Sequence, residues 1–368
     1  MKFEIIKTDK KARAGLLSLN GNKVETPTFM PVATRGTIKS TPHEYLNKTS
    51  ILLANAYHLH LRPGPKIISD HGGLHKFMNW DKLILTDSGG FQAWSLPTKL
   101  YDDGVEFKNV YDGSYFKLTP QDSIKTQNLL GSDIAMIFDC LIDIDKPDEE
   151  QKKAIEITKK WAFIAKETHN NSLQSLFGIV QGGLNLNLRE QSAKSMIDLN
   201  FDGYAIGGLA IGESREERKS VVEFLSTVLP VDKPRYVMGL GDTIGLIDLI
   251  DSGVDMFDCV WPARLARHGK LIIKNQYINI KNNKYEKDTS PLDEDCNCYV
   301  CKNFSKAYLR HLFVNETTSS WLYLTVHNII QTENIIQQAR DSILNSSFDS
   351  FKKAVSYTHL TLPTIYSV

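Results

Sequence analysis

The sequence predicts an α/β fold: a (β/α)8 TIM barrel with a small cysteine-rich subdomain inserted near the C-terminus. Three observations carry this expectation. Short apolar runs alternate with longer amphipathic segments, the signature of a parallel sheet with helical crossovers. Several runs are apolar on both faces, as strands covered by helices must be. No G-x-G-x-x-G follows the first run, which removes the main signal for an open dinucleotide-binding sheet. Met238–Asp242 (MGLGD) has two spaced glycines but lacks the third, and it comes late in the chain.

In chain order the expected strands are Phe29–Val32, Ile51–Ala54, Leu83–Leu85, Ile134–Phe138, Phe177–Val180, Tyr204–Ile206, Tyr236–Met238 and Val254–Phe257. Helical patterns lie between them at Pro120–Leu130, Asp148–His169, Arg189–Leu199, Arg215–Val228 and Thr243–Ser252. Thr119-Pro120 and Asp242-Thr243 are good helix starts. Two segments interrupt the alternation. Trp94–Phe116, rich in Tyr, Asp and Gly, reads as hairpins or a lid. Lys270–Tyr285 alternates apolar and polar residues and reads as a small antiparallel sheet. Helical segments follow around Phe304–Phe313 and Trp321–Leu344. Residues 1–285 and 328–354 would form the barrel, and 286–327 the inserted subdomain. Residues 355–368, β-branched and nearly uncharged, would be a tail outside the fold.

At 368 residues the chain can bury a large core. Its 43 basic and 43 acidic residues cancel, so nucleic-acid binding would need a local basic patch. The N-terminus lacks an apolar leader, and no run reaches membrane-spanning length. Five cysteines, three of them between positions 296 and 301, argue against a disulfide framework. They point instead to a metal site in a reducing, cytoplasmic setting.

The active site of such a barrel lies at the C-terminal ends of its strands. Those ends carry Asp87, Asp139, Gln181, Gly207-Gly208, Met238 and Asp258. A lone strand-end Asp is more often a cap or an ion-pair partner, and a Gly-Gly pair more often a turn. Together they converge on one pocket. Two carboxylates can divide nucleophilic and acid/base work at an anomeric carbon. A third carboxylate, an amide and bare backbone can read the polar edge of a purine. Phe91 and Met238 could cover the faces of a flat ring. Pro262 then halts the last strand, and Arg264, Arg267, His268 and Lys270 supply a basic loop suited to phosphates.

Cys296-x-Cys298-x2-Cys301 with His327 makes three thiolates and an imidazole, a closed tetrahedral zinc set of the structural type. His311 is a weaker fourth candidate, because it lies on a helical pattern. One structural Zn2+ would fix the subdomain beside the barrel, largely as folding energy.

DSGGFQ, VQGG, GGLAIGE, YVMGLG, DMFDCVWPARLARHG and C-x-C-x2-C…H occur here in the order seen in tRNA-guanine transglycosylases, also called queuine tRNA-ribosyltransferases. The chain resembles this family from about Phe3 to Phe351. The resemblance implies a zinc-containing barrel that acts as a homodimer, with no membrane attachment. It would exchange guanine at the wobble position of GUN anticodons (tRNAs of the Asp, Asn, His and Tyr types) for a 7-deazaguanine base. In bacterial members that base is 7-aminomethyl-7-deazaguanine (preQ1), a step of queuosine biosynthesis. Asp258 would be the nucleophile on C1′ of the ribose and Asp87 the general acid/base. Asp139, Gln181, Gly208 and Leu209 would read the base edge, with Phe91 and Met238 sandwiching the ring. Arg264 and Arg267 would hold the anticodon loop, with the target base turned out of its stack.

The chain departs from the family at Phe138-Asp139-Cys140-Leu141, where members usually read Phe-Asp-Glu-Cys. That bears on the side pocket for the 7-substituent. Ile211 narrows the same pocket and favours a small substituent. Trp261 and Ala263 also differ from the usual residues. Queuine is the alternative incoming base. A non-catalytic tRNA-binding partner subunit would lack strand-end carboxylates, and a simple glycosidase would not need the basic loop.

Overall fold

The computed structural model describes residues 1–274 and 276–360. Eight strands form one parallel sheet: β1 (Thr28–Pro31), β2 (Ile51–Asn55), β3 (Leu83–Asp87), β4 (Ile134–Met136), β5 (Ser175–Val180), β6 (Gly203–Ile206), β7 (Arg235–Val237) and β8 (Met256–Cys259). Neighbours run in chain order from β2 round to β8, and β8 pairs with β1. A parallel bridge between Val32 and Leu53 closes the ring, with the Ala33 amide donating to the Leu53 carbonyl at 2.6 Å. The ring is the expected (β/α)8 barrel. Strands β2, β4, β5 and β6 hold only buried residues or nearly so, because barrel interior and helices cover both faces.

The helices fall close to their expected places. Pro120–Leu130 begins on a reciprocal Thr119–Asp122 capping box, and Arg215–Val228 on a Ser214–Glu217 one. Leu186–Asp198 starts earlier than the sequence pattern indicates, because the Asn185 side chain accepts from the Asn187 and Leu188 amides. That shift puts Arg189 in the first turn. Strand β8 also runs two residues later than expected. Asp258 therefore lies within the ladder, opposite Met30 of β1.

Three features frame the barrel. An N-terminal antiparallel sheet (Lys2–Asp9, Ala12–Leu19, Asn22–Thr26) escaped sequence reading, because ARAGLLSL is largely buried and shows no alternation. Its Arg13 reaches the start of β8, where Nε donates to Asp255 Oδ1 at 2.8 Å. The segment after β3 folds into three antiparallel strands, Thr98–Tyr101, Gly104–Lys108 and Tyr115–Leu118. Lys270–Ile273 and Gln276–Asn279 form the expected hairpin.

The 28-residue helix Thr317–Leu344 then crosses from the cysteine cluster to the barrel wall. The final helix, Phe348–Leu360, continues past Ala354 into the segment expected to be a tail. Val355 is buried in the main core there, since its apolar side chain falls on the helix face already presented by Phe348 and Phe351. Residues 361–368, the rest of that segment, lie outside the described residues. No described helix is long and apolar enough to cross a membrane.

Candidate active site

Asp258 sits on β8 with its side chain buried. The Tyr236 hydroxyl of β7 donates to its Oδ1 at 2.5 Å, and the Gly239 amide donates to the same oxygen at 2.8 Å. Burial pushes this carboxyl above the usual carboxylate range, and the two donors pull it back. Burial and the Asp258 charge hold the Tyr236 phenol well above its ordinary value, so it remains a donor.

Asp87 ends β3. In the β2–β3 ladder it pairs with Asn55, whose Nδ2 donates to Asp87 Oδ2 at 2.6 Å. The Ala56 amide donates to Oδ1 at 3.2 Å. Burial first, and the Asp258 charge second, push the Asp87 carboxyl up to about 8. Two carboxyls that feel one another, one of them carrying its proton at neutral pH, have the properties of an acid/base and a nucleophile.

The other half of the barrel mouth is a polar-edged slot. Gln181, just past β5, donates through Nε2 to Asp139 Oδ2 at 2.6 Å. Asp139 lies beyond β4, and burial raises it to about 6. A side chain on Gly90 would meet Asp139 Oδ1 at 2.0 Å, so only glycine admits the carboxylate there. Gly208, past β6, has φ +65°, and an added Cβ would lie 2.5 Å from Gln181 Oε1. Leu209 beside it is buried.

Beneath these loops the guanidinium of Arg189 is fully buried. It donates to the carbonyls of Gly183 (2.8 Å), Val180 (2.9 Å) and Gly207 (2.7 Å), tying the ends of β5 and β6 together. Burial lowers its pKa to about 9. Glu213 closes the next loop, accepting from the Ala210 and Ile211 amides at 2.6 and 3.1 Å.

Sequence reading missed Asn55, the Tyr236 hydroxyl, Arg189 and Glu213. A signal existed for two of them. Asn55 ends the run ILLAN as Asp87 ends LILTD, and Arg189 lies on the buried face of its helix with Leu188, Ala193 and Met196.

Phe91 stands half exposed at the rim, on the short helix Gly90–Ser95, 5.4 Å from the Trp94 ring. Met238 follows β7 and is half-buried against the core. Arg264 and Arg267 lie on the helix Trp261–Arg267 directly after β8. A cavity of about 490 Å³ opens beside that strand end, between Cys259, Val260 and Arg267 on one side and Arg35, Lys39 and His58 on the other. Cys140 packs in an apolar cluster with Phe138 and Trp161, and burial, then the neighbouring Asp139 charge, raises its thiol to about 12.

Cys296, Cys298, Cys301 and His327 converge, with all their ligand atoms within 4.8 Å of one another. His327 Nδ1 lies 3.4 to 4.0 Å from the three sulfurs, and Nε2 lies 2.8 Å from the Ile272 carbonyl. With Nε2 donating to that carbonyl, Nδ1 keeps its lone pair toward the thiols, as a metal ligand requires. The group could hold a metal ion. His311 lies apart from it, facing Asn315. Next to His327, Asn328 Nδ2 donates to the carbonyls of Pro262 and Lys270, both at 3.0 Å, and Oδ1 accepts from the Ile272 amide at 2.9 Å. The cysteine cluster is thereby tied to the helix that carries Arg264 and Arg267.

Known proteins match this chain over nearly its whole length. A family model described as queuine tRNA-ribosyltransferase matches residues 8–361. A queuine tRNA-ribosyltransferase of Idiomarina loihiensis is 45% identical over 358 residues, covering 96% of each chain. One from Caldanaerobacter subterraneus subsp. tengcongensis is 46% identical over 360 residues, again 96% of each. One from Francisella tularensis subsp. novicida is 43% identical over 357 residues, 96% of this chain and 97% of the relative. This chain belongs to the queuine tRNA-ribosyltransferase family.

Proposed function

We propose that this enzyme replaces guanine at the wobble position of tRNAs with GUN anticodons by preQ1. The observation that carries the reading is the pair Asp258 and Asp87, the first buried and the second half-buried at the strand ends, and differently hydrogen-bonded. The Asp258 carboxylate attacks C1′ of the ribose, and the C1′–N9 bond breaks with its electron pair going to the purine. Asp87 supplies the proton that neutralises the leaving guanine. The result is an ester between Asp258 and C1′. The incoming base gives its ring proton to Asp87, attacks C1′ and expels Asp258. Tyr236 and the Gly239 amide hold the nucleophile's other lone pairs, which aims it and stabilises the carboxylate when it leaves.

Asp139, Gln181, Gly208 and Leu209 read the base edge, and Phe91 and Met238 cover its faces. The family relationship supports these roles, as does the shared hydrogen bond of Asp139 and Gln181. Arg264 and Arg267 hold the anticodon loop near its phosphates. The metal is Zn2+, because three thiolates and one imidazole suit its tetrahedral preference. It supplies folding energy to the segment around residues 296–327, and no chemical step needs it. The reading includes a homodimer working in the cytoplasm, where its tRNA substrate is found.

Cys140 packs in the apolar cluster behind Asp139, and the Asp139–Gln181 hydrogen bond is made despite the departure from the family pattern. Ile211 leaves room for a small 7-substituent. The test is base exchange: tRNA is loaded with labelled guanine and chased with preQ1 or with queuine. Displacement by preQ1 alone is the expected result. Displacement by queuine would replace the proposed base and keep the reaction. No labelling by folded, zinc-loaded enzyme would overturn the reading.

A further inference from the structure

The barrel mouth is divided. Groups that match a base edge follow β4, β5 and β6, while cations follow β8, β1 and β2. Arg264 and Arg267 come after β8, Arg35 after β1, and Arg62 after the short helix that follows β2. The three loops are consecutive around the ring, since β8 pairs with β1 and β1 closes onto β2.

Eight of the eleven arginines use their guanidinium on a carbonyl or carboxylate of the chain. Among the described residues, only Arg35, Arg62 and Arg264 show no side-chain hydrogen bond or ion pair. All three lie on this arc, and all are exposed. Arginines that could be solvated anywhere are gathered on one side of one opening.

Two of them share a ring. Tyr111, half-buried at the tip of the insert after β3, lies 3.9 Å from Arg62 Cζ and 5.7 Å from Arg35 Cζ, measured to its centroid. The tip is a built turn. The Tyr111 amide donates to Asn109 Oδ1 at 2.9 Å, and the Asn109 amide to the Ser114 carbonyl at 2.7 Å. The nearby Asp112 carboxylate accepts through Oδ1 from the Ser114 amide and hydroxyl at 2.9 and 2.7 Å, and Arg62 acts on it through charge without a hydrogen bond or ion-pair contact. A tyrosine face attracts each guanidinium. Two like charges brought to one ring still repel, and an anion bridging them removes that repulsion. Arg35 also lines the cavity that reaches Cys259, next to Asp258, and no carboxylate lines that cavity.

We propose that Arg35 and Arg62, aligned by Tyr111, bind backbone phosphate of the RNA beside the target nucleotide. They extend the cationic arc beyond Arg264 and Arg267. Tyr111 is a positioning residue, acting through the two arginines. The inference rests on the tRNA-modifying reading above.

The test compares wild type with Arg35→Ala, Tyr111→Ala and Tyr111→Phe. It measures binding of an anticodon stem-loop across a salt series, and kcat and KM for RNA and for guanine. Arg35→Ala should weaken RNA binding roughly three- to tenfold and reduce the salt slope by about one. KM for guanine should stay unchanged. Tyr111→Ala should show a similar loss, and Tyr111→Phe should restore wild-type behaviour because the ring face does the work. Wild-type RNA affinity and salt slope in a folded Arg35→Ala variant would overturn the phosphate assignment. A loss in Tyr111→Ala that Tyr111→Phe shares would overturn the role of the ring. If wild type itself neither binds the stem-loop nor inserts guanine, the functional reading fails with it. Exchange by wild type with unaltered variants sinks this proposal alone.

Discussion

The Tyr236 hydroxyl lies 2.5 Å from Asp258 Oδ1 and is the only side-chain donor to that carboxylate among the described residues. A hydrogen bond to the ionised form lowers a carboxyl pKa. Tyr236→Phe should therefore raise the Asp258 pKa. The acid limb of kcat/KM against pH should move to higher pH, with a loss on the order of tenfold at pH 6 and a smaller loss at pH 8. An unmoved acid limb would show that Tyr236 does not tune the nucleophile.

Asp87 offers a stability test with a definite sign. Its native carboxyl keeps its proton up to about pH 8, against an ordinary value of 3.8. Between those values the native state binds more protons than the unfolded chain, so this group's contribution to stability falls as pH rises. Asp87→Asn should raise Tm relative to wild type more at pH 8.5 than at pH 5, while base exchange drops by orders of magnitude and RNA binding persists. Equal Tm differences at both pH values would contradict the assigned burial.

The two carboxyls should also report on each other. The Asp258 charge helps hold the Asp87 proton, so Asp258→Asn should lower the Asp87 pKa. Carbon-13 titration of labelled aspartate would follow it. The same variant should form no covalent RNA adduct, and a surviving adduct would assign the nucleophile elsewhere.

At the opposite end of the barrel, Arg13 and Asp255 form an ion pair with 3% and 0% side-chain exposure. The Arg235 amide also donates to Asp255, at 2.7 Å. Removing one member leaves a buried charge uncompensated. Asp255→Ala should destabilise the fold by about 3–5 kcal/mol. Denaturant unfolding would measure it, and a change below 1 kcal/mol would place the pair among weak surface bridges.

Asn328 makes metal content and RNA affinity separable. Cys298→Ser should lower both zinc content and Tm. Asn328→Ala should keep zinc and guanine KM but weaken RNA binding, because Pro262 and Lys270 lose the amide that holds their carbonyls. Metal analysis beside RNA titration would read both. Unchanged RNA affinity would uncouple the cysteine cluster from the arginine helix.

The barrel was legible in the sequence because each strand is a short apolar run bounded by polar loops, and burial on both faces demands that pattern. Strand-end carboxylates were legible because a charged residue closing an apolar run has few cheap places to go. The cysteine cluster was legible from spacing alone. The N-terminal sheet was not, since ARAGLLSL lacks both alternation and strong strand formers. The burial of Val355 on the final helix depended on a core that only the assembled barrel provides.

What tertiary structure decided was partnership. Asn55 meets Asp87 through strand register, Tyr236 meets Asp258 across adjacent strands, and Arg189 reaches carbonyls of two loops. Tyr111 reaches Arg35 and Arg62 from an insert far along the chain. Local sequence determines whether a residue favours a strand end or a turn. Which charge it faces, and so its protonation and its task, follows from distances that exist only once the ring closes.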